Sequence, residues 1–543
     1  MTETGQLSSV GRRIIRAGVV VVIAQGIFKV ASILQAMVMA PLVDRGVYDV
    51  VVAFGFENCI FTFFMIGEEV IAPCFLPVFM REMDTKGERA AWQFANVVVT
   101  VQMLILLLAA LLIMLFPDAV IGLLTAWKPG ADAAKYELGR RSLIWLAPSL
   151  IGLSLGSTTY MLLNGYKRFF LAALGDASWK FCCLLCVLIG MGWFGMDYRA
   201  LIFGLLAGSV AKVATHLAGL LRELRFFRPS LNISNPAVKS MFLLMLPLIV
   251  GIVFAKVRDV YNNVTVLTYL DTEGLMMANS LGRKLSSTLG WIVPYALSIA
   301  LFPFFCEMVD KNEKDKLGEL LSRSARMLLS VFIPLACVCV VLAKPVTALL
   351  LERGKFTADM TDWTAVSMAC YALVLPAQAL EYLLMKAFFA HRRMVAITAA
   401  GIVFSALSMA ISYAGIRLFG AHGGYALAVV ALSLTVTRTL KSAALVWMLK
   451  RDVPFFPPAE TAVFLAKAVL AGIVSAAACY GANVLFDLVI SSSHAKWFVL
   501  ARLTGGATAA ACAFLLSVVL LRLSEPMEMV SWAYGRIRER VAR

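Results

Sequence analysis

Residues 92–117 read WQFANVVVTVQMLILLLAALLIMLFP, and no charged side chain occurs between Arg89 and Asp118. Crossing the hydrocarbon core of a bilayer takes about 20 apolar residues in an α-helix. A helix is required because every backbone N–H in lipid has to find its carbonyl within the segment. Comparable stretches occur at 17–43, 48–80, 142–163, 169–194, 199–221, 237–268, 274–306, 324–351, 363–390, 394–416, 423–449, 461–488 and 497–521. With 92–117 these make about 14 spans, so the expected fold is an all-α polytopic membrane protein. The first stretch is too long for the apolar region of a signal peptide and is expected to remain as span 1.

Composition agrees. The chain of 543 residues is 61% hydrophobic and 15% charged, whereas about a quarter of the residues in a soluble domain are charged. Its net charge of +16 lies mostly on alternate loops. One side collects about 26 Lys and Arg residues, among them Arg81, Lys86, Lys167, Arg228, Lys314, Arg392 and Lys450. The other holds about 10, including Lys128, Arg353 and Lys355, which predicts cytoplasmic termini in an inner-membrane protein. The basic excess is explained by topology and attraction to anionic lipid, and no nucleic-acid partner is expected.

All 11 cysteines fall in expected spans and read as small packing residues. The Cys182, Cys183, Cys186 cluster has no second pair or neighbouring His, so no metal site is expected. The four histidines, His216, His391, His422 and His494, form no ligand spacing. There is no P-loop and no cofactor motif.

The chain repeats itself once. Phe75, Leu76, Pro77, Val78, Phe79 and the charged loop that follows find an echo about 226 residues later in Leu301, Phe302, Pro303, Phe304, Phe305 and the loop from Asp310. The same offset brings Lys29 close to Lys256. This predicts two six-helix lobes of like orientation with a cavity between them, residues 1–225 and 226–455, plus two further spans and a basic tail over 456–543.

Charge within a span is costly unless it is paired or faces water, so a cluster of it points to a polar pathway. The first two spans of each predicted lobe hold such clusters: Lys29, Asp49, Glu57, Glu68 and Glu69 in one, Lys256, Arg258, Asp259, Arg283 and Lys284 in the other. Snorkelling or interhelical ion pairing would also account for any one of them. Arginine binds phosphate oxygens bidentately and lysine binds them as a point charge, so the set suits a diphosphate. Asp176 and Lys180, four apart in span 5, are expected to pair with each other. Glu381 and Lys386 in span 10 and Arg438 and Lys441 in span 12 are compatible with pairing, snorkelling or ion coupling. Kinks are expected at Pro73, Pro77, Pro247, Pro294, Pro303 and Pro376.

From Asp49 through Ala53, Phe54 and Asn58 to Glu68, Glu69, Ala72, Phe75, Pro77 and Phe79 the sequence resembles the early signature of the MurJ (MviN) lipid II flippases. Arg283 or Lys284 through Pro303 resembles that family's eighth helix, Gly354 to Asp359 its turn before the tenth, and Phe388 to Ala390 a later aromatic stretch. Where the family carries arginines in its first helix, this chain has Gln25, Lys29 and Ala31, and Lys256 and Arg258 offer positive charge from span 7.

The resemblance implies a non-enzymatic, alternating-access flippase for a lipid-linked diphosphate saccharide, with lipid II first among candidates. Its site residues would be Lys29, Asp49, Glu68, Lys256, Arg258, Asp259, Arg283 and Lys284. Expected partners are the lipid-linked substrate, membrane lipids and cell-envelope synthesis proteins. A flippase for another undecaprenyl-linked glycan is the alternative, and a membrane-embedded glycosyltransferase or polymerase is more remote, because it would need a metal site or a large soluble loop.

Overall fold

The structure, a computed structural model, describes residues 26–56, 62, 67–290, 292–391, 393–489, 496–523 and 525–527. In chain order its helices are α1 Gly26–Leu42, α2 Arg45–Val51, α3 Ala72–Lys86, α4 Glu88–Leu115, α5 Pro117–Leu124, α6 Ala133–Leu146, α7 Ser149–Gly165, α8 Phe169–Gly192, α9 Arg199–Gly219 and α10 Pro236–Val260. There follow α11 Leu275–Gly290, α12 Ile292–Asp310, α13 Lys314–Leu351, α14 Ala358–Ala372, α15 Leu375–Ala390, α16 Met394–Tyr413, α17 Gly423–Leu449, α18 Pro458–Val489 and α19 Lys496–Leu520. Among the described residues the one β feature is an isolated bridge between Arg353 and Phe356. Among the described residues four π-helical turns, Val52–Phe56, Gly67–Ile71, Tyr261–Thr265 and Ala414–Leu418, interrupt or extend the helices.

Eight described helices are long and apolar enough to cross a membrane, and eleven spans result if each of three bent pairs counts as one. Those eleven coincide with eleven of the fourteen stretches read from the sequence. The first, second and eighth do not appear as unbroken described helices: residues 1–25, 57–61, 63–66 and Trp291 lie outside the described set. The charges Arg12, Arg13, Arg16 and Glu57 therefore also fall outside it.

Proline sets the bends, because it lacks an N–H and its ring crowds the carbonyl four residues earlier. The halves of span 7, Pro236–Leu246 and Leu248–Tyr269, meet at 47° around Pro247. α14 and α15 meet at 41° just before Pro376. A third bend, 43° between α6 and α7 at Ala147 and Pro148, was not among the expected kinks. Pro73 follows closely on the π turn Gly67–Ile71 at the start of α3, and Pro77 lies within that helix.

The chain divides into two compact units, the first comprising Met1–Ser280, Arg353–Phe356 and Ser412–Gly420, and the second Leu281–Glu352, Thr357–Ile411 and Ala421–Arg543. In the first, Phe75 stacks on Phe79 and Phe94 with ring centroids 5.5 and 5.3 Å away, within a cluster that adds Trp92, Leu162, Leu163 and Val238. At one end of this cluster the Trp92 indole donates to Tyr166 Oη at 2.8 Å, and Tyr166 donates to Glu88 at 2.6 Å. Burial and then the Glu88 contact hold the Tyr166 phenol above its ordinary range, so it stays a donor. In the second unit, Phe305, Phe332, Leu383, Leu384 and Phe388 centre a core built from α12, α13, α15 and α17.

Candidate functional site

Three of the charges singled out in the sequence, Lys256, Arg258 and Asp259, stand near the end of α10. Asn235 caps that helix by accepting the Ala237 N–H at 2.9 Å, Pro236 supplies its first residue, and a long apolar run carries it to Lys256, Arg258 and Asp259 just before the π turn at Tyr261. Lys256 Nζ donates to Glu69 Oε1 at 2.7 Å. The lysine side chain is 14% exposed and the carboxylate 38%. Arg258 donates through Nε and Nη2 to Oδ1 of its neighbour Asp259, at 3.1 and 2.7 Å. Two of the cations singled out in the sequence are thus already charge-compensated, one between helices and one along the chain.

Asp49, in α2, accepts two backbone N–H groups: Gly274 to Oδ2 at 2.6 Å and Met277 to Oδ1 at 2.7 Å. It caps the start of α11, whose orphan N–H groups and positive dipole end favour a carboxylate. Asp49 also lines a small pocket, with room for little more than a water molecule, together with Trp127, Lys135, Thr268 and Met276. Lys29 lies half-buried on α1. Glu68 belongs to the same π turn as Glu69, but its side chain lies outside the described residues. Arg283 and Lys284 stand half-buried on α11 within the second unit, where Ser286 and Ser287 return hydroxyl hydrogen bonds to their carbonyls at 3.1 Å.

The expected Asp176–Lys180 pair does not form. Asp176 binds Lys212 of α9 at 2.6 Å, while Lys180 lays its ammonium over the Trp179 ring at 4.2 Å and over Phe28 at 5.7 Å. The reason is local room. A Cβ on Gly156 of α7 would come within 2.6 Å of Lys212 Cε, so only glycine there lets the lysine stem pass to the acid. One turn on, His216 contacts Thr159 Oγ1 and the Ala172 carbonyl, each at 2.9 Å. Sequence reading missed Lys212. Its placement four residues before His216 in an apolar span was the available signal.

In the second unit Glu381 receives two cations of α17: Arg438 Nε at 2.6 Å and Lys441 Nζ at 2.7 Å. Gln378 adds an acceptor for Arg438 at 3.3 Å. Of the readings open for these spans, pairing is the one observed. Lys386 faces the rings of Phe302 and Phe389, 5.5 Å from each. The described cysteines form no disulfide with one another, and Cys59 lies outside the described residues. Among the described residues no group of three or more His, Cys, Asp or Glu side chains could hold a metal ion.

Comparison with known proteins places these features in a family. A protein named probable lipid II flippase MurJ from Rhizobium meliloti (strain 1021) is 26% identical over 432 residues, covering 77% of each chain. Another of that name from Bdellovibrio bacteriovorus is 25% identical, covering 78% of this chain and 80% of its own. Among solved structures, a lipid II flippase MurJ in an inward closed conformation superposes with a TM-score of 0.70 at 16% identity, covering 93% of this chain and 99% of its own. An inward-facing multidrug resistance MATE transporter of the MOP superfamily gives 0.66 at 12% identity over 78% of this chain. At such identities these two likenesses show the fold. The family described as lipid II flippase MurJ matches residues 46–499, and the chain belongs to it.

Proposed function

We propose that this protein moves lipid II, a lipid-linked diphosphate saccharide, from the cytoplasmic to the outer leaflet of the cytoplasmic membrane by alternating access, without covalent chemistry on the substrate. The observation that carries this reading is the family match over residues 46–499, whose relatives bear the name lipid II flippase. The geometry of α10 supports it. Lys256 and Arg258 present cations within an apolar helix, and phosphate oxygens are natural ligands for both. In this reading Lys256 and Arg258 bind the diphosphate, Asp259 orients Arg258, and Asp49 holds the start of α11. Lys29 and Glu68 complete the set of charges singled out in the sequence, and Arg283 and Lys284 carry like chemistry on α11. Both termini face the cytoplasm, following the excess of Lys and Arg on that side. Residues 1–225 and 226–455 are the two repeated lobes, and cell-envelope synthesis proteins are the protein partners.

Complementation of a strain depleted of its lipid II flippase tests the reading. Wild type is expected to restore growth, and Lys256→Gln and Arg258→Gln to fail while inserting at normal levels. Normal insertion of the wild type without rescue would reject lipid II as substrate, and reconstituted flipping of other undecaprenyl-linked glycans would then identify the cargo.

A further inference from the structure

Glu69 sits where an anion would have to bind to reach Lys256. The ammonium is mostly buried, the carboxylate is the more exposed partner, and the two meet at 2.7 Å. We propose that Glu69 is an exchangeable counter-ion: it neutralises Lys256 when the site is empty, gives way when a substrate phosphate arrives, and returns to help expel it. This inference rests on the phosphate-binding reading of Lys256.

Three observations carry it. A carboxylate and a phosphate offer the same thing to an ammonium, anionic oxygen acceptors at about 2.7–2.9 Å, so the N–H directed at Glu69 suits a phosphate oxygen equally well. Both anions cannot crowd one ammonium without mutual repulsion, so binding of one favours departure of the other. Lastly, Glu69 is carried by the π turn Gly67–Ile71, immediately ahead of α3. A π turn holds one residue more than an α turn and is a common site of functional rearrangement. Its conversion to α geometry would rotate Glu69 by about 100° about the helix axis, away from Lys256, with no movement of α3 required. An empty site without Glu69 would hold a lone ammonium among apolar helices, which is costly; a fixed lysine–phosphate pair with no competitor would release its cargo slowly.

The test uses the full-length protein in proteoliposomes, with short-chain lipid II as the probe for affinity and for flipping turnover. Glu69→Gln removes the competing charge and keeps the size. It is expected to tighten binding by roughly 10- to 100-fold, the scale of one charge-assisted hydrogen bond, and to slow turnover by a similar factor. Lys256→Gln should weaken binding at least as much. Glu69→Asp, with the charge drawn back by one methylene, should fall between wild type and Glu69→Gln, and it serves where Glu69→Gln inserts poorly. If Glu69→Gln weakens binding or leaves it unchanged while Lys256→Gln weakens it, the exchange is wrong and Glu69 merely positions the lysine. If Lys256→Gln binds like wild type, the phosphate-binding reading itself falls, and the exchange with it.

Discussion

Asp49 and Met277, 228 residues apart in sequence, are joined by a 2.7 Å hydrogen bond from the Met277 N–H to the Asp49 carboxylate. With the bond from Gly274 it fixes α2 against the start of α11. Asp49→Asn keeps a single acceptor oxygen and loses the charge, and Asp49→Ala loses both bonds. Loss of an N-cap costs about 0.5–2 kcal/mol, and bonds to a charged group cost somewhat more. Thermal unfolding in detergent should rank wild type above Asp49→Asn above Asp49→Ala. Equal midpoints for all three would show that the cap contributes nothing.

The Asp176–Lys212 pair is suited to a double-mutant cycle. Lys212→Met leaves Asp176 without its ammonium, and Asp176→Leu takes the carboxylate from a lysine whose side chain is 2% exposed. Breaking one side of a buried pair typically costs about 3–5 kcal/mol, while replacing both with apolar groups can be neutral. Each single variant is therefore expected to insert poorly or melt early, with Asp176→Leu the worse, and the double variant to recover most of the loss. Additive losses would mean the two side chains do not act as a pair.

Glu381 offers a contrasting case, because one acid serves two cations. Glu381→Ala leaves Arg438 and Lys441 without that carboxylate, and destabilisation of about 3 kcal/mol or more is expected. Adding Lys441→Met to Glu381→Ala should recover part of it by removing one of the two charges. No recovery in a denaturant or thermal series would place the cost in lost packing.

How far these features could be read in advance depended on what determines them. α4 was legible because lipid imposes one solution on a long uncharged run, and eleven expected spans coincide with helices or bent pairs for the same reason. The functional region could be located because intramembrane charge is rare; Lys256 and Arg258 stood out on that ground alone. Partner choice could not be read. Asp176 has Lys180 at the favourable spacing yet binds Lys212, a preference set by the room that Gly156 leaves on a third helix. The pairing of Lys256 with Glu69, 187 residues away, and the capping role of Asp49 likewise depend on how helices pack, which spacing along one helix does not encode.

The turn at Arg353–Phe356 makes a prediction about backbone shape. Gly354 has φ of +57°, a conformation that costs side-chain-bearing residues energy, and a Cβ there would lie 2.5 Å from the Pro41 carbonyl oxygen. The adjacent Lys355 N–H donates to that same oxygen at 2.9 Å, and the Lys355 ammonium binds Asp44 at 2.7 Å. Gly354→Ala must therefore both strain the turn and push it off α1, at a cost of about 1–3 kcal/mol. Asp44→Asn removes only an exposed ion pair and should cost less than about 1 kcal/mol. If the turn holds the end of α1, a cysteine pair at positions 44 and 355 will crosslink readily in wild-type background and poorly with Gly354→Ala added. Equal crosslinking in the two backgrounds, with equal melting temperatures, would show that the glycine is not what seats the turn.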